Sequence, residues 1–170
     1  MTWYFLEVER YHEEIFKNLL NQSGFRAFIP KKEMYFKKND LMFLTQKLLF
    51  PGTVMVSSEL SAIQFTEAIN SWISLYEQSA ESICKESNSY FHLSALEQNK
   101  LENLMNDEYI ISFSKGVIQN YILTVNQGPL KGHEKEIQKI KRHQRLATLP
   151  MQCCGQSIPI ILGLEVTEKN

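Results

Sequence analysis

The sequence predicts an α+β fold in which strands and helices mix over the first two thirds and strands dominate the rest. Two observations carry that prediction. Apolar residues recur at helical spacing behind two capping boxes, Ser61 with Gln64 and Ser94 with Glu97, and short β-rich runs flank both segments. Towards the C-terminus the apolar run Tyr121-Ile122-Leu123-Thr124-Val125 enters a Gly128-Pro129-Leu130-Lys131-Gly132 turn, where proline fixes φ and the glycines permit tight reversal into a hairpin. With 170 residues and 44% apolar content, the chain can support one ordinary domain or two small ones.

Taken in order, Trp3 to Val8 reads as a strand, and Ile15, Phe16, Leu19 and Leu20 form a helical stripe that Gly24 terminates. Phe25 to Pro30 is a second strand. Met34-Tyr35-Phe36 and Leu41-Met42-Phe43-Leu44, joined by residues 37–40, read as an extended hairpin projecting from the body, and Thr53 to Ser57 as a core strand. Behind Ser61, the stripe Phe65, Ile69, Trp72, Ile73 and Tyr76 is a core helix. Residues 77–90, rich in Ser and Glu, read as a helix end and loop. The second capping box opens a helix through Leu101, Leu104 and Met105, and Tyr109 to Phe113 is strand-like. Ser114-Lys115-Gly116 is then the expected hinge, and Ile158 to Leu162 and Leu164 to Val166 the final strands, with Gly163 bending between them.

Net charge is −1 overall, but the charge is sorted along the chain. Residues 1–114 hold ten Lys or Arg against fifteen Asp or Glu, whereas residues 115–145 hold seven against two. Lys131, His133, Lys135, Lys139, Lys141, Arg142, His143 and Arg145 crowd behind the Gly-Pro turn and point to an anionic partner. A run of lysines is more often a solvated surface than a site. Here the mixture with Arg and His favours binding, since Arg can fork two donors onto a phosphate or a guanine edge.

Three motifs in order resemble the NusG family of transcription elongation factors. Trp3-Tyr4 matches the opening strand of that family's N-terminal (NGN) domain, Phe50-Pro51-Gly52 followed by Val54-Met55-Val56 resembles its Phe-Pro-Gly segment, and Gly128-Pro129-Leu130-Lys131-Gly132 resembles the start of a KOW motif. Within the family, Gly128 to Glu134, then Ile137 to Arg145, then Leu164-Glu165-Val166 resemble the specialised paralogs called LoaP antiterminators. The late Phe-Gly-Arg-x-Thr-Pro segment expected of general NusG proteins, which meets Rho or the ribosome, has no counterpart in Met151 to Gln156.

The resemblance implies an NGN α/β sandwich over residues 1–114 that binds the RNA polymerase clamp, with Trp3, Tyr4, Phe50, Pro51, Gly52 and Thr53 at that contact. It also implies a small SH3-like KOW β-barrel over residues 115–170 that binds a nascent RNA hairpin through the basic residues above, giving antitermination by a monomer. Two departures matter. Thr53 stands where the family usually places an aromatic, so a weaker or remodelled polymerase contact is expected. Lys135 stands where a KOW glycine is usual, implying either strain of roughly 1 kcal/mol or a changed turn. The rival readings are a ribosomal KOW protein that binds folded rRNA, and a general NusG-like factor coupling transcription to the ribosome.

Catalysis is not indicated. His12, His92, His133 and His143 are scattered, no nucleophile elbow or P-loop is present, and His12-Glu13-Glu14 lacks the second His of a zincin and reads as an exposed helix start. No cofactor and no metal are expected. Cys84, Cys153 and Cys154 are too few and too poorly spaced for a disulfide framework or zinc site, and read as small apolar fillers. Glu7, Glu9 and Arg10 interrupt the first apolar run too early for a signal peptide, and no stretch approaches membrane-spanning length, so the expected location is the cytoplasm.

Overall fold

The computed structural model describes residues 1–39, 41–76, 83–153 and 155–169. The chain divides into two compact units that interleave in sequence, one of residues 1–29 and 50–98, the other of residues 30–49 and 99–170.

The first unit is built on a three-stranded antiparallel sheet of β1 (Thr2–Glu7), β2 (Arg26–Phe28) and β5 (Thr53–Ser58), with β5 in the centre. Val54, Met55 and Val56 are all buried, so both faces of the sheet are covered. On one face Tyr4 and Leu6 align with Val56 and Val54, and Tyr4 stacks on Phe65 of α2 (Ala62–Leu75) at 3.8 Å between ring centroids. On the other, Trp3 meets Phe28 edge-on at 4.9 Å. The outer edge of β1 is covered as well: Phe5 N–H donates to Phe91 O and Leu93 N–H donates to Trp3 O.

α1 (Glu13–Gln22) buries Phe16 and Leu20, while Ile15 of the expected stripe faces out. Gly24, at φ +88, follows its end as the sequence requires. The capping box predicted for α2 is complete, Ser61 Oγ accepting from Gln64 N–H while the Gln64 side chain accepts from Ser61 N–H. Phe65, Ile69, Trp72 and Ile73 are buried as expected, and Phe16 meets Trp72 edge-on at 5.5 Å. Ser94 and Glu97 form the same reciprocal cap at the start of α3 (Ala95–Leu104). Part of the segment read as a loop, residues 77–82, lies outside the described residues. Among the described residues, no helix is long and apolar enough to cross a membrane.

The second unit contains a three-stranded sheet ordered β4 (Leu41–Leu48), β3 (Lys31–Lys38), β6 (Ile110–Ile111) and a five-stranded sheet ordered β8 (Ile122–Gln127), β7 (Ser114–Gln119), β11 (Gln156–Lys169), β10 (Leu146–Cys153), β9 (Lys139–Lys141). β3 (Lys31–Lys38) and β4 (Leu41–Leu48) form the predicted hairpin, but its strands are longer than expected, and β3 also pairs in parallel with the two-residue β6 (Ile110–Ile111). The base of this hairpin is thus sheet rather than a free projection. β7 (Ser114–Gln119) and β8 (Ile122–Gln127) are joined by Asn120 and Tyr121 at φ +48 and +65, the backbone that a two-residue hairpin turn needs. Leu149 and Met151 of β10 (Leu146–Cys153) and Ile160, Leu162 and Leu164 of β11 (Gln156–Lys169) alternate into the core.

Three sequence expectations change here. Ser114, Lys115 and Gly116 are not a hinge: they open β7, all three pair with β11, and Lys115 and Gly116 pair with β8 as well. Residues 158–166 form one continuous strand rather than two, and β11 changes partner at Gly163, from antiparallel β10 to parallel β7. Gly163 is required by close approach, since a Cβ there would stand 2.2 Å from the Phe113 ring and 2.6 Å from Glu33 O. Finally, the Gly128 turn does not reverse β8 into a hairpin with β9 (Lys139–Lys141), because those strands form opposite edges of the sheet. Gly128, at φ +95, instead lets the chain cross against β7, where a Cβ would lie 2.6 Å from Ser114 Oγ. Leu130 is then buried as a plug, and its N–H donates to the buried Ser114 Oγ at 3.2 Å.

Candidate nucleic-acid and protein interfaces

The basic residues sit on the connection after β8, on edge strand β9 and on the short 3₁₀ turn Arg142–Gln144 that follows. Lys139 and Lys141 alternate with Ile140, so both project from one face of β9 and both are exposed. Lys131, Lys135, Arg142 and His143 are exposed too. Lys135 lies in a 3₁₀ turn, Glu134–Glu136, without positive φ: of the two expected consequences of losing glycine, the turn has changed type and no strain arises.

Two members of the cluster are held by acids. His133 Nδ1 lies 2.7 Å from Glu136 Oε1, and the other oxygen of Glu136 pairs with Lys100 of α3. Lys100 first, and His133 second, hold the Glu136 carboxyl below its usual range. Burial pushes Glu134 up, but donors from its own backbone, from Val125 (3.1 Å) and from Gly132 outweigh it and leave the carboxyl lowered. Glu134 thereby satisfies an N–H of β8.

Arg145 is engaged differently. It sits in the left-handed region at φ +54, ψ +49, its Nε donates to Glu165 Oε1 at 2.8 Å, and its guanidinium lies 5.1 Å from the Tyr35 ring centroid. It ties the hairpin to β11. Among the described residues, Lys131, Lys135, Lys139, Lys141 and Arg142 have no acidic partner.

Charge sorts by compact unit more sharply than along the sequence. The unit of residues 1–29 and 50–98 holds four Lys or Arg against ten Asp or Glu, net −6, while the other holds fourteen against nine, net +5. The difference from the linear reading comes from the β3–β4 lysines. They were legible as charges, but nothing in the sequence said which unit would hold them.

In the first unit, Phe50, Pro51 and Gly52 form a surface turn fixed from two sides. Val8 N–H donates to Gly52 O at 2.9 Å, and Gly52 N–H, at φ +77, donates to Glu13 Oε1 at 2.7 Å. Glu13 is buried, which corrects the reading of His12-Glu13-Glu14 as an exposed helix start; the signal missed was an acid at the first helical position with a donor to receive. Phe50 is half-buried and meets Phe5 edge-on at 5.8 Å, Pro51 is exposed, and Thr53 begins β5. Trp3 and Tyr4 belong to the core at 5% and 2% exposure, Trp3 against Phe28 and Tyr4 against Phe65, so neither ring is presented at this surface. Beside the turn, Phe5, Glu7, Glu9, Lys85, Tyr90 and exposed Phe91 line a groove of about 580 Å³.

Among the described residues no three His, Cys, Asp or Glu come together as metal ligands. Cys84 is a buried thiol, Cys153 is half-buried, and Cys154 lies outside the described residues. Burial, with Glu7 adding to it, pushes the Cys84 thiol up to about 12.

One chain thus carries a mixed α/β unit with a clamped aromatic turn and a second, β-rich unit of net positive charge. A family model described as transcription termination factor NusG matches residues 1–105, and the chain belongs to the NusG family. That family consists of non-enzymatic transcription factors, and membership implies binding to RNA polymerase. No curated protein matches the chain.

Proposed function

We propose that this protein is a specialised elongation factor of the LoaP antiterminator kind, which holds RNA polymerase with one surface and a nascent RNA hairpin with another. The observation that carries the RNA half is the set of five exposed cations, without an acidic partner among the described residues, on the β8–β9 connection, β9 and its 3₁₀ turn, in a unit of net charge +5. Duplex RNA hides its base edges in a deep groove, so such a surface reads phosphates, shape and unpaired loop bases. In this reading the five-stranded sheet is the KOW-like barrel, the polymerase contact lies within residues 1–114 and the basic cluster that meets the RNA within residues 115–170.

The polymerase half rests on the Phe50-Pro51-Gly52 turn, whose backbone is fixed while Phe50 and Pro51 reach the surface. It docks on the clamp and disfavours the open, pause-prone state. Joining two weak contacts in one chain raises the effective concentration of each. Crosslinking of the protein to transcripts in cells, mapped by sequencing, tests the whole reading: enrichment at leader hairpins supports it, and enrichment on rRNA favours a ribosomal role instead.

A further inference from the structure

The outer face of the β3–β4 hairpin carries a side-chain set that the proposed function leaves unused. Register places Phe36 directly opposite Phe43 and Lys32 directly opposite Lys47, and strand alternation puts both pairs on one face, with Met34 and Thr45 between them. The other face turns to the body of the unit: Glu33 accepts Phe113 N–H at 2.8 Å, and Tyr35 meets the Phe113 ring at 4.6 Å beneath Arg145.

Neither outer pair is explained by folding. Phe36 and Phe43 each stay 48% exposed. Among the described residues Lys32 and Lys47 have no acidic partner, and like charges directly opposite on paired strands destabilise a sheet. Burial and the Lys47 charge both lower the Lys32 pKa. Residues 31–48 as a whole hold five lysines against two acids. Lys47 Nζ reaches to 5.9 Å from the Phe36 ring centroid, so cation and aromatic faces adjoin.

We propose that this face is a stacking platform for unpaired nucleobases, with the Phe36–Phe43 pair taking bases and the Lys32–Lys47 pair taking a phosphate about 13 Å along the strands. An anion between the two lysines removes their repulsion, while any flexible base offers a π face to the rings. The assignment rests on the RNA-binding reading above, because hairpin and basic cluster belong to one positively charged unit. It goes further by naming the ligand as a single-stranded segment, the loop of an RNA hairpin, distinct from the duplex stem.

The test measures binding of the full chain to a looped RNA hairpin, to its stem closed as a blunt duplex, and to single-stranded DNA of the loop sequence. Phe36→Leu/Phe43→Leu keeps apolar bulk at both positions while removing the rings, and an unchanged melting temperature verifies its fold. The double variant is expected to lose about fivefold or more in affinity for the looped RNA, with blunt-duplex affinity and salt slope unchanged. Loss on the DNA as well supports a platform for unpaired bases of either sugar, and loss on RNA alone supports one selective for the RNA loop. Lys47→Gln is expected to make the salt slope for looped RNA shallower by about 0.7. A double variant that binds looped RNA as tightly as the parent overturns the platform and leaves the basic-cluster reading standing. A parent chain that binds no RNA overturns both. Weakened binding to purified RNA polymerase with RNA affinity unchanged assigns the rings to a protein contact and overturns the platform.

Discussion

The backbone N–H of Gly52 donates to the buried carboxylate of Glu13 at 2.7 Å, so the first residue of α1 fixes the turn that carries Phe50 and Pro51. Glu13→Ala leaves that N–H without its partner and is expected to cost about 1 to 3 kcal/mol. Glu13→Gln keeps an acceptor and recovers part of the loss. Urea denaturation of the three proteins checks the order.

Phe50 separates docking from folding. Half-buried against Phe5, its ring contributes some packing, but the core of the unit is made by fully buried residues such as Leu6, Phe16, Val54 to Val56 and Phe65. Phe50→Ala is therefore expected to weaken binding to transcribing RNA polymerase while leaving cooperative thermal unfolding and RNA affinity intact. Loss of cooperativity in the melt would show that Phe50 is a core residue.

Gly128 and Gly132 both have positive φ, yet replacing them has different consequences. A Cβ at Gly128 meets Ser114 Cα at 2.7 Å and Phe113 O at 2.9 Å, whereas at Gly132 nothing lies within 4 Å. Gly132→Ala is expected to cost about 1 to 2 kcal/mol from backbone conformation alone. Gly128→Ala adds a clash with backbone atoms and is expected to cost clearly more, read as a lower denaturation midpoint.

Much of this architecture was legible in the sequence, and the misses share a cause. Both capping boxes, the α2 stripe and the β5 core strand follow from local spacing, because a helix start and an apolar period are decided within a few residues. Whether Gly128 reverses the chain or carries it across β7 depends on Ser114, fourteen residues earlier, whose hydroxyl accepts Leu130 N–H. Likewise, Arg145 read as one more cation, but Glu165 and Tyr35, which engage it, are distant in sequence. Trp3 and Tyr4 matched a motif and proved to be its core support.

The Lys100–Glu136–His133 group gives an acid dependence of definite sign. The Glu136 carboxyl is lowered from its ordinary 4.5, so its contribution to stability is present above that value and disappears as pH falls through the lower folded-state value. Lys100→Met is expected to destabilise at neutral pH and to converge on the parent in acid. Denaturation midpoints across that range measure the convergence.

Cys84, pushed up to about 12 by burial, keeps its proton through neutral and mildly alkaline pH. It is expected to be unreactive towards a thiol reagent until the protein unfolds, even when Cys153 and Cys154 are replaced by serine. Because the folded pKa is raised, the linked stability is present below the ordinary thiol value of 9.0 and is lost as pH rises towards 12.

Whether the basic cluster holds RNA phosphates is decided by how hairpin affinity varies with salt. If the basic cluster neutralises phosphates, the logarithm of affinity falls steeply and linearly with the logarithm of salt. Lys131→Gln, Lys139→Gln or Lys141→Gln should each make the slope shallower by roughly 0.7 to 0.9. Arg142→Ala is expected to cost about 1 to 3 kcal/mol on the cognate hairpin and less on a scrambled one, with Arg142→Lys recovering only part. Arg145→Ala should lower stability instead, through the lost Glu165 and Tyr35 contacts. Hairpin affinity that does not vary with salt, or that survives all of the lysine and Arg142 substitutions unchanged, would contradict the account and return the cluster to a solvated face.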